Sequence, residues 1–155
     1  MGEYLLVAHQ TAEGQELVDA ALAMTAHDPL ATFTLLVPAT PVGALLTWEE
    51  GEARDVARNR ARSASAGLQR SGVNVIAVRI GDADPVAAID DDILTGRRYD
   101  AIVISTLPAG LSRWIRMDVV SRLRRQRPHQ LVIHVVAAAA HRVRPVPPEQ
   151  RPTAA

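Results

Sequence analysis

Two short groups of polar residues, each at the end of an apolar run, could form a pocket for a small ligand. His9, Gln10 and Thr11 lie at the end of the first run, and Ser105 and Thr106 at the end of the fourth. If these runs are adjacent strands of a parallel sheet, their carboxyl ends meet at the topological switch point, where ligands bind. The alternative is that these side chains only cap helices and satisfy loop backbone.

Arginines form a second candidate group, in and after the loop that follows the fourth run. Arg113 and Arg116 lie in that loop and could clamp an anion, or they could be solvated surface residues. The next segment could be an anion-binding face or a helix surface whose charges complement the helix dipole. Its arginines are Arg122, Arg124, Arg125 and Arg127. We expect no nucleic-acid partner, because net charge is zero and aromatic residues for base stacking are few.

Five apolar runs, rich in valine, isoleucine and leucine, are typical of strands that are buried on both faces of a parallel sheet. The runs are Tyr4–His9, Thr32–Val37, Val73–Ile80, Ala101–Ser105 and Leu131–Val136. Segments with helical spacing of apolar residues separate them. The alternation predicts an α/β fold, a three-layer, doubly wound, Rossmann-like domain with a five-stranded parallel sheet over residues 1–137. The remaining residues, 138–155, are rich in alanine and proline and predict a disordered tail.

Capping residues predict where the helices begin and end. Thr11 is a candidate N-cap of the first helix, and Asp84 followed by Pro85 is typical of the start of the third. Gly96 can close that third helix, and Asp118 can cap a fourth helix that must end before Pro128.

The composition excludes several kinds of site. The chain has no cysteine, so it can have no disulfide framework, thiolate zinc site or cysteine nucleophile. The five histidines lack the spacing of metal ligands. Asp90, Asp91 and Asp92 share a predicted helix, which cannot turn all three carboxylates toward one ion, so we interpret them as a solvated face. We expect no metal site.

Other sequence patterns that would indicate function are missing as well. The sequence contains no phosphate-binding glycine loop and no nucleophile elbow, so we do not expect an enzyme. It has no uninterrupted apolar run of roughly 18 residues, which a membrane-spanning helix needs. The N-terminal residues lack the features of a secretory leader. We therefore expect a cytoplasmic protein without membrane contact.

Two tryptophans lie in loops at the predicted carboxyl edge of the sheet. We predict that they join three aliphatic residues in one apolar cluster over the switch point. The cluster would consist of Leu45, Leu46, Trp48, Trp114 and Ile115. It would either plug the pocket or line a less polar one.

The order of elements, the segment Tyr99-Asp-Ala-Ile-Val-Ile104, Gly110-Leu111 and the closing strand Leu131–Val136 resemble the universal stress protein family over residues 4–136. The resemblance implies the strand order 3-2-1-4-5 and a homodimer. Many members of that family bind ATP through Gly-x-x-Gly, nine further residues and Gly-Ser/Thr.

The residues at the family's ATP-binding positions do not match that motif. Its glycines fall on Ile104, Leu107 and Met117, its hydroxyl residue falls on Asp118, and its usual aspartate falls near Gln10. Bulky side chains block close approach to phosphate, and a carboxylate repels it. We therefore expect no cofactor, with ATP or AMP disfavoured.

Three hypotheses for function remain open. The first is a non-enzymatic stress-response or regulatory protein, and the second is a small-ligand or nucleotide binder that uses a degenerate site with Arg113 and Arg116. The third is a phosphatase or hydrolase. A pocket open at Thr11, Ser105 and Arg113 would favour the second hypothesis, and one blocked by Trp114 and Leu107 would favour the first.

The last strand predicts an interface. Leu131–Val136 should lie at a sheet edge, and it carries no lysine, glutamate or proline to protect that edge from aggregation. We expect the last strands of two protomers to meet around a two-fold axis.

Overall fold

A computed structural model of the chain describes residues 1–41 and 50–138, without the side chains of Glu50, Arg113 and Arg116. Most of the predicted tail therefore lies outside the described residues, and so do Leu45, Leu46 and Trp48 of the predicted apolar cluster.

Five strands alternate with helices along the chain. The strands are β1 (Glu3–Val7), β2 (Thr32–Pro38), β3 (Val75–Gly81), β4 (Ala101–Thr106) and β5 (Leu131–Val136). The helices are α1 (Gln15–His27), α2 (Glu50–Arg70), α3 (Pro85–Leu94), α4 (Arg113–Arg116) and α5 (Val119–Gln126). Each predicted apolar run contributes one strand.

The strands form one parallel sheet of order β3-β2-β1-β4-β5. The predicted fold class and the implied strand order are both confirmed. In the centre of the sheet Val7 pairs with Leu36 on one side and with Ile104 on the other. The chain leaves β1 toward β2 and later returns to β4 on the opposite side of β1. The switch point therefore lies at the carboxyl ends of β1 and β4.

The helices cover both faces of the sheet, because consecutive strand residues point to opposite faces. Leu6 packs with α1 and α2, whereas Leu5 packs with α3 and α5. The helix α3 approaches β3 closely at Gly81, where an added Cβ atom would lie 2.5 Å from the Cβ atom of Ala88. The helices α3 and α5 cover one face of the sheet and share a core cluster with Trp114, so they lie beside the loop that follows β4.

The predicted helix starts were right at one place and wrong at another. Asp84 caps α3, since its Oδ1 atom accepts a hydrogen bond from the Val86 amide at 3.0 Å. Thr11 caps no helix, because α1 begins only at Gln15 and the Thr11 hydroxyl contacts Ser105 instead. Gly96 follows the end of α3 with a φ of 89°, a conformation that favours glycine.

The loop after β4 contains the short helix α4, which the sequence analysis did not predict. Asp118 precedes α5 as expected, but its side chain makes no capping hydrogen bond. Its φ is 54°, in the left-handed region that aspartate tolerates better than most residues. The exposed Asp118 carboxylate instead contacts Arg125 at 3.3 Å.

The interpretation of the acidic run as a solvated face was wrong for one residue. Asp91 is exposed, but Asp92 is only 5% exposed. The Asp92 carboxylate pairs with Arg79 Nε at 3.0 Å and accepts a hydrogen bond from the Tyr99 hydroxyl at 2.5 Å. The carboxylate is buried here because the Tyr99 hydroxyl donates to its Oδ2 atom and the nearby positive charge of Arg79 offsets its own charge, although its Oδ1 atom accepts no hydrogen bond from the described residues.

Candidate functional site

A small cavity lies at the switch point, bounded by the ends of β1, β2 and β4 and by the loop that contains α4. It is lined by His9, Gln10, Thr11, Thr40, Pro41, Ser105, Thr106, Leu107, Ser112 and Trp114. Its volume is about 30 Å³. Pockets for small molecules usually measure ~300–1,000 Å³, whereas one water needs only about 10–15 Å³. The described residues thus leave room in this cavity for a few heavy atoms.

The five predicted residues, three after β1 and two at the end of β4, line this cavity. The hydroxyls of Thr11 and Ser105 lie 2.7 Å apart, so they join the two strand ends directly. The Thr106 hydroxyl lies 2.8 Å from Nε2 of His134 on β5. Of the five residues, only Gln10 is exposed to solvent. That they bind a ligand stays a prediction.

His9 has the most unusual environment in the cavity. Its side chain is 3% exposed, and neither ring nitrogen has a hydrogen-bonding partner among the described residues. Burial and, second, the positive charge of Arg60 lower the pKa of His9 from 6.5 to about 4. The imidazole is therefore neutral near pH 7, with one nitrogen that donates and one that accepts.

Trp114, on α4, forms one wall of the cavity. Its indole Nε1 donates to the Thr40 hydroxyl at 3.2 Å, and that hydroxyl donates to the carbonyl oxygen of Ala83 at 2.7 Å. This chain of two bonds ties α4 to the segments that follow β2 and β3. Leu107 and Pro41 complete the apolar part of the lining. Trp114 and Leu107 line the cavity together with Thr11 and Ser105, so the choice between the first two hypotheses stays a prediction.

Thr40 and Ser112 were missed in the sequence. Thr40 could have been found by the rule that identified Thr11 and Ser105, since it lies two residues beyond the end of β2. Ser112 could not have been found in that way. It lines the cavity because its hydroxyl accepts a hydrogen bond from the Ile115 amide at the start of α4, a helix that the sequence did not predict.

The arginines of α5, and Arg127 directly after it, make contacts within the chain. Arg122 pairs with Asp84 at 2.8 Å, and Arg127 pairs with Asp90 at 2.8 Å. Arg125 contacts Asp118, while Arg124 donates to the carbonyl oxygen of Val132 at 3.1 Å. These contacts tie α5 to α3 and β5, which argues against a free anion-binding face.

Arg113 and Arg116 are placed only by their backbone, as the two ends of α4. Their proposed approach to a ligand stays a prediction. Across residues 1–41 and 50–138, no cluster of three histidine, aspartate or glutamate side chains could hold a metal ion. In the same part of the chain, no helix is long and apolar enough to cross a membrane.

Three solved structures that this chain resembles are universal stress proteins. A universal stress protein family member from Burkholderia pseudomallei is 18% identical, with a TM-score of 0.56 over 86% of this chain and 94% of its own. A universal stress protein from Archaeoglobus fulgidus is 12% identical, with a TM-score of 0.56 over 87% of this chain and 93% of its own. A universal stress protein family protein from Arabidopsis thaliana, solved with AMP bound, is too distant to bear on the ligand, with 14% identity, a TM-score of 0.47, and coverage of 91% and 95%.

The comparisons of sequence alone add no relative. No protein-family model matches the chain, and no curated protein matches it. The strand order, the alternating helices and the two neighbours with TM-scores of 0.56 nevertheless agree. The chain therefore has the fold of the universal stress proteins, and its structural neighbours support the resemblance that its sequence indicated.

Proposed function

We propose that this chain is a non-enzymatic stress-response or regulatory protein of the cytoplasm, of the universal stress protein type, that does not bind ATP at its switch point. The observation that supports the proposal is the narrowing of the cavity by Trp114. Its indole is 6% exposed, donates a hydrogen bond to the Thr40 hydroxyl and forms one wall of a cavity of about 30 Å³.

The loop after β4 supports the same conclusion. Of the residues at the family's glycine positions, Ile104 is fully buried in the core and Leu107 lines the cavity. Backbone amides bind phosphate closely only where no side chain intervenes. The carboxylate of Asp118, at the hydroxyl position, adds a negative charge near the start of α5. A phosphate group would therefore meet both steric and electrostatic opposition.

Thermal melting tests the proposal. We expect no shift in Tm when millimolar ATP, ADP or AMP is added with magnesium, compared with magnesium alone. A ligand at 100 times its Kd would stabilise the fold by about 2.7 kcal/mol and raise Tm by several degrees. A shift of that size would refute the proposal. If Arg113→Ala and Arg116→Ala then abolished the shift, the nucleotide binder with a degenerate site would be the correct alternative.

We further propose that the protein is a homodimer and that β5 forms the interface. Among the described strands β5 pairs with β4 alone, and it carries two exposed apolar side chains, Leu131 (59% exposed) and Val136 (48%). Ile133 and Val135 are only partly buried against the core. An open apolar edge favours pairing with another strand. A second copy of β5 satisfies this need by two-fold symmetry.

Charged substitutions at this edge are expected to separate the protomers. The double variant Leu131→Arg, Val136→Arg should be monomeric in light scattering at micromolar concentration, whereas the unmodified protein should have the mass of a dimer. The matched control is Ile76→Arg, Val78→Arg on β3, the opposite edge strand, where both side chains are also exposed. That control should remain dimeric. A monomeric unmodified protein, or a control that dissociates equally, would contradict the proposed interface.

A further inference from the structure

The cavity at the switch point leaves His9 with hydrogen-bonding groups that the described residues do not satisfy. Both ring nitrogens are buried and without a partner, although the ring lines the cavity. A buried polar group without a partner costs about 1–3 kcal/mol, so such groups normally meet another molecule. The Nε atom of Arg60 is also buried without a partner, and Arg60 reaches the Gln10 carbonyl oxygen only over 3.5 Å.

The hydroxyl groups around His9 can donate hydrogen bonds to a bound molecule. The Ser112 oxygen accepts from the Ile115 amide, and its own proton has no acceptor among the described residues. Thr11 and Ser105 share one hydrogen bond, so whichever accepts it keeps a free proton. Together with one N–H of neutral His9, at least three donors surround the cavity. Thr40 adds none, because its proton is directed to Ala83.

The charges around the cavity favour a negative occupant. No residue that lines it is acidic, and the charged group that acts on His9 is the cation Arg60 on α2. His134 contacts Thr106 from the β5 side, with the positive Arg124 near it. Small size, at least three donors and a nearby positive charge together describe a site for an ion with several acceptor oxygens.

We propose that the cavity binds a small monovalent oxyanion, such as a nitrate- or carboxylate-sized ion, held by His9, Ser112 and the Thr11–Ser105 pair. This site does not depend on the proposed function. The volume of about 30 Å³ suits an ion of this size and is far smaller than a nucleotide requires. His9 and Thr11 follow β1, Ser105 lies at the end of β4, and Ser112 lies in the loop after β4.

The first test uses nitrate, which stays ionised over the whole pH range of the titration. The ¹H–¹³C NMR signal of the His9 ring is assigned by its absence in His9→Phe. Its titration midpoint, about 4 in the free protein, should rise by at least one pH unit in sodium nitrate, because a bound anion stabilises the imidazolium. Sodium chloride at equal concentration should leave it within a few tenths of a unit. A water molecule alone in the cavity would produce no nitrate-specific rise, and that result would overturn the proposal.

The second test measures Tm in the same salts. Nitrate should raise Tm by several degrees more than chloride in the unmodified protein. The difference between the two salts should disappear in Ser112→Ala, which removes one donor to the ion; loss of the hydroxyl that accepts from the Ile115 amide lowers Tm in both salts alike and does not affect the difference. The control Ser71→Ala lies at an exposed turn and should keep the difference. Equal shifts in nitrate and chloride, or a nitrate effect that survives Ser112→Ala, would show that the cavity is not the site. The Tm of the protein with added nucleotides is measured in a separate experiment, so this proposal and the proposed function can fail independently.

Discussion

Replacement of Asp92 by alanine is expected to lower the free energy of unfolding by about 3 kcal/mol. The Asp92 carboxylate is buried and pairs with Arg79 and Tyr99. Removal of one partner from a buried ion pair costs about 3–5 kcal/mol, since the other charge stays without compensation. The Arg79 side chain is 34% exposed, so water offsets part of that cost. The Tyr99 hydroxyl, which is buried, would lose its acceptor.

Urea unfolding measures this loss, and the neighbouring residue provides the control. Asp91 has the same side chain and lies on the same helix, but it is exposed. Asp91→Ala should change the free energy of unfolding by less than about 0.5 kcal/mol. Tyr99→Phe, which removes only the donor, should cost about 1 kcal/mol. If Asp92→Ala cost no more than Asp91→Ala, the three side chains would not form a stabilising cluster.

The acidic run shows what the sequence can and cannot predict about burial. Val86, Ile89 and Asp92 are spaced three residues apart, so helical periodicity already placed Asp92 near the inward face. The interpretation failed because aspartate is rarely buried without a partner. Its partners are not visible in the pattern, since Arg79 lies on β3 and Tyr99 just before β4. Their approach depends on packing of α3 against the sheet.

The sequence predicted part of the candidate site, namely the residues at the strand ends, but not the residues of the loop after β4. Parallel strands force the ends of β1 and β4 together, so convergence of Thr11 and Ser105 follows from strand order alone. The position of Trp114 does not, because it depends on α4, a helix too short to give a periodic pattern. The same limit applies to Ser112. The fold could therefore be predicted from hydrophobic runs, whereas the shape of the cavity depends on one irregular loop.

A fall in pH is expected to destabilise the protein through His9. The pKa of His9 is about 4 in the folded protein and about 6.5 when the chain unfolds. Between these values the unfolded chain binds more protons than the folded protein, so stability rises with pH. The contribution is complete above about pH 6.5 and is lost as pH falls toward 4. Between pH 7.5 and pH 5 the loss should be about 2 kcal/mol.

Between pH 7.5 and pH 5, the effect of His9 on stability can be measured apart from that of the carboxylates whose pKa values are lowered. Asp28, Asp84 and Asp118 take up protons only below their ordinary range, at more acidic pH. Burial also lowers the pKa of His134, which acts in the same direction as His9. Comparison of the unmodified protein with His9→Phe removes the contribution of His134, because that residue is present in both.

Urea unfolding in chloride buffers at several pH values should therefore show a steeper dependence for the unmodified protein than for His9→Phe. The two curves should differ by about 2 kcal/mol in their change from pH 7.5 to pH 5. Arg60→Gln should reduce the dependence only in part, since burial is a larger cause of the lowered pKa than the Arg60 charge. Identical curves for the unmodified protein and His9→Phe would mean that water reaches the His9 ring in solution and that the imidazole titrates as it does in the unfolded chain.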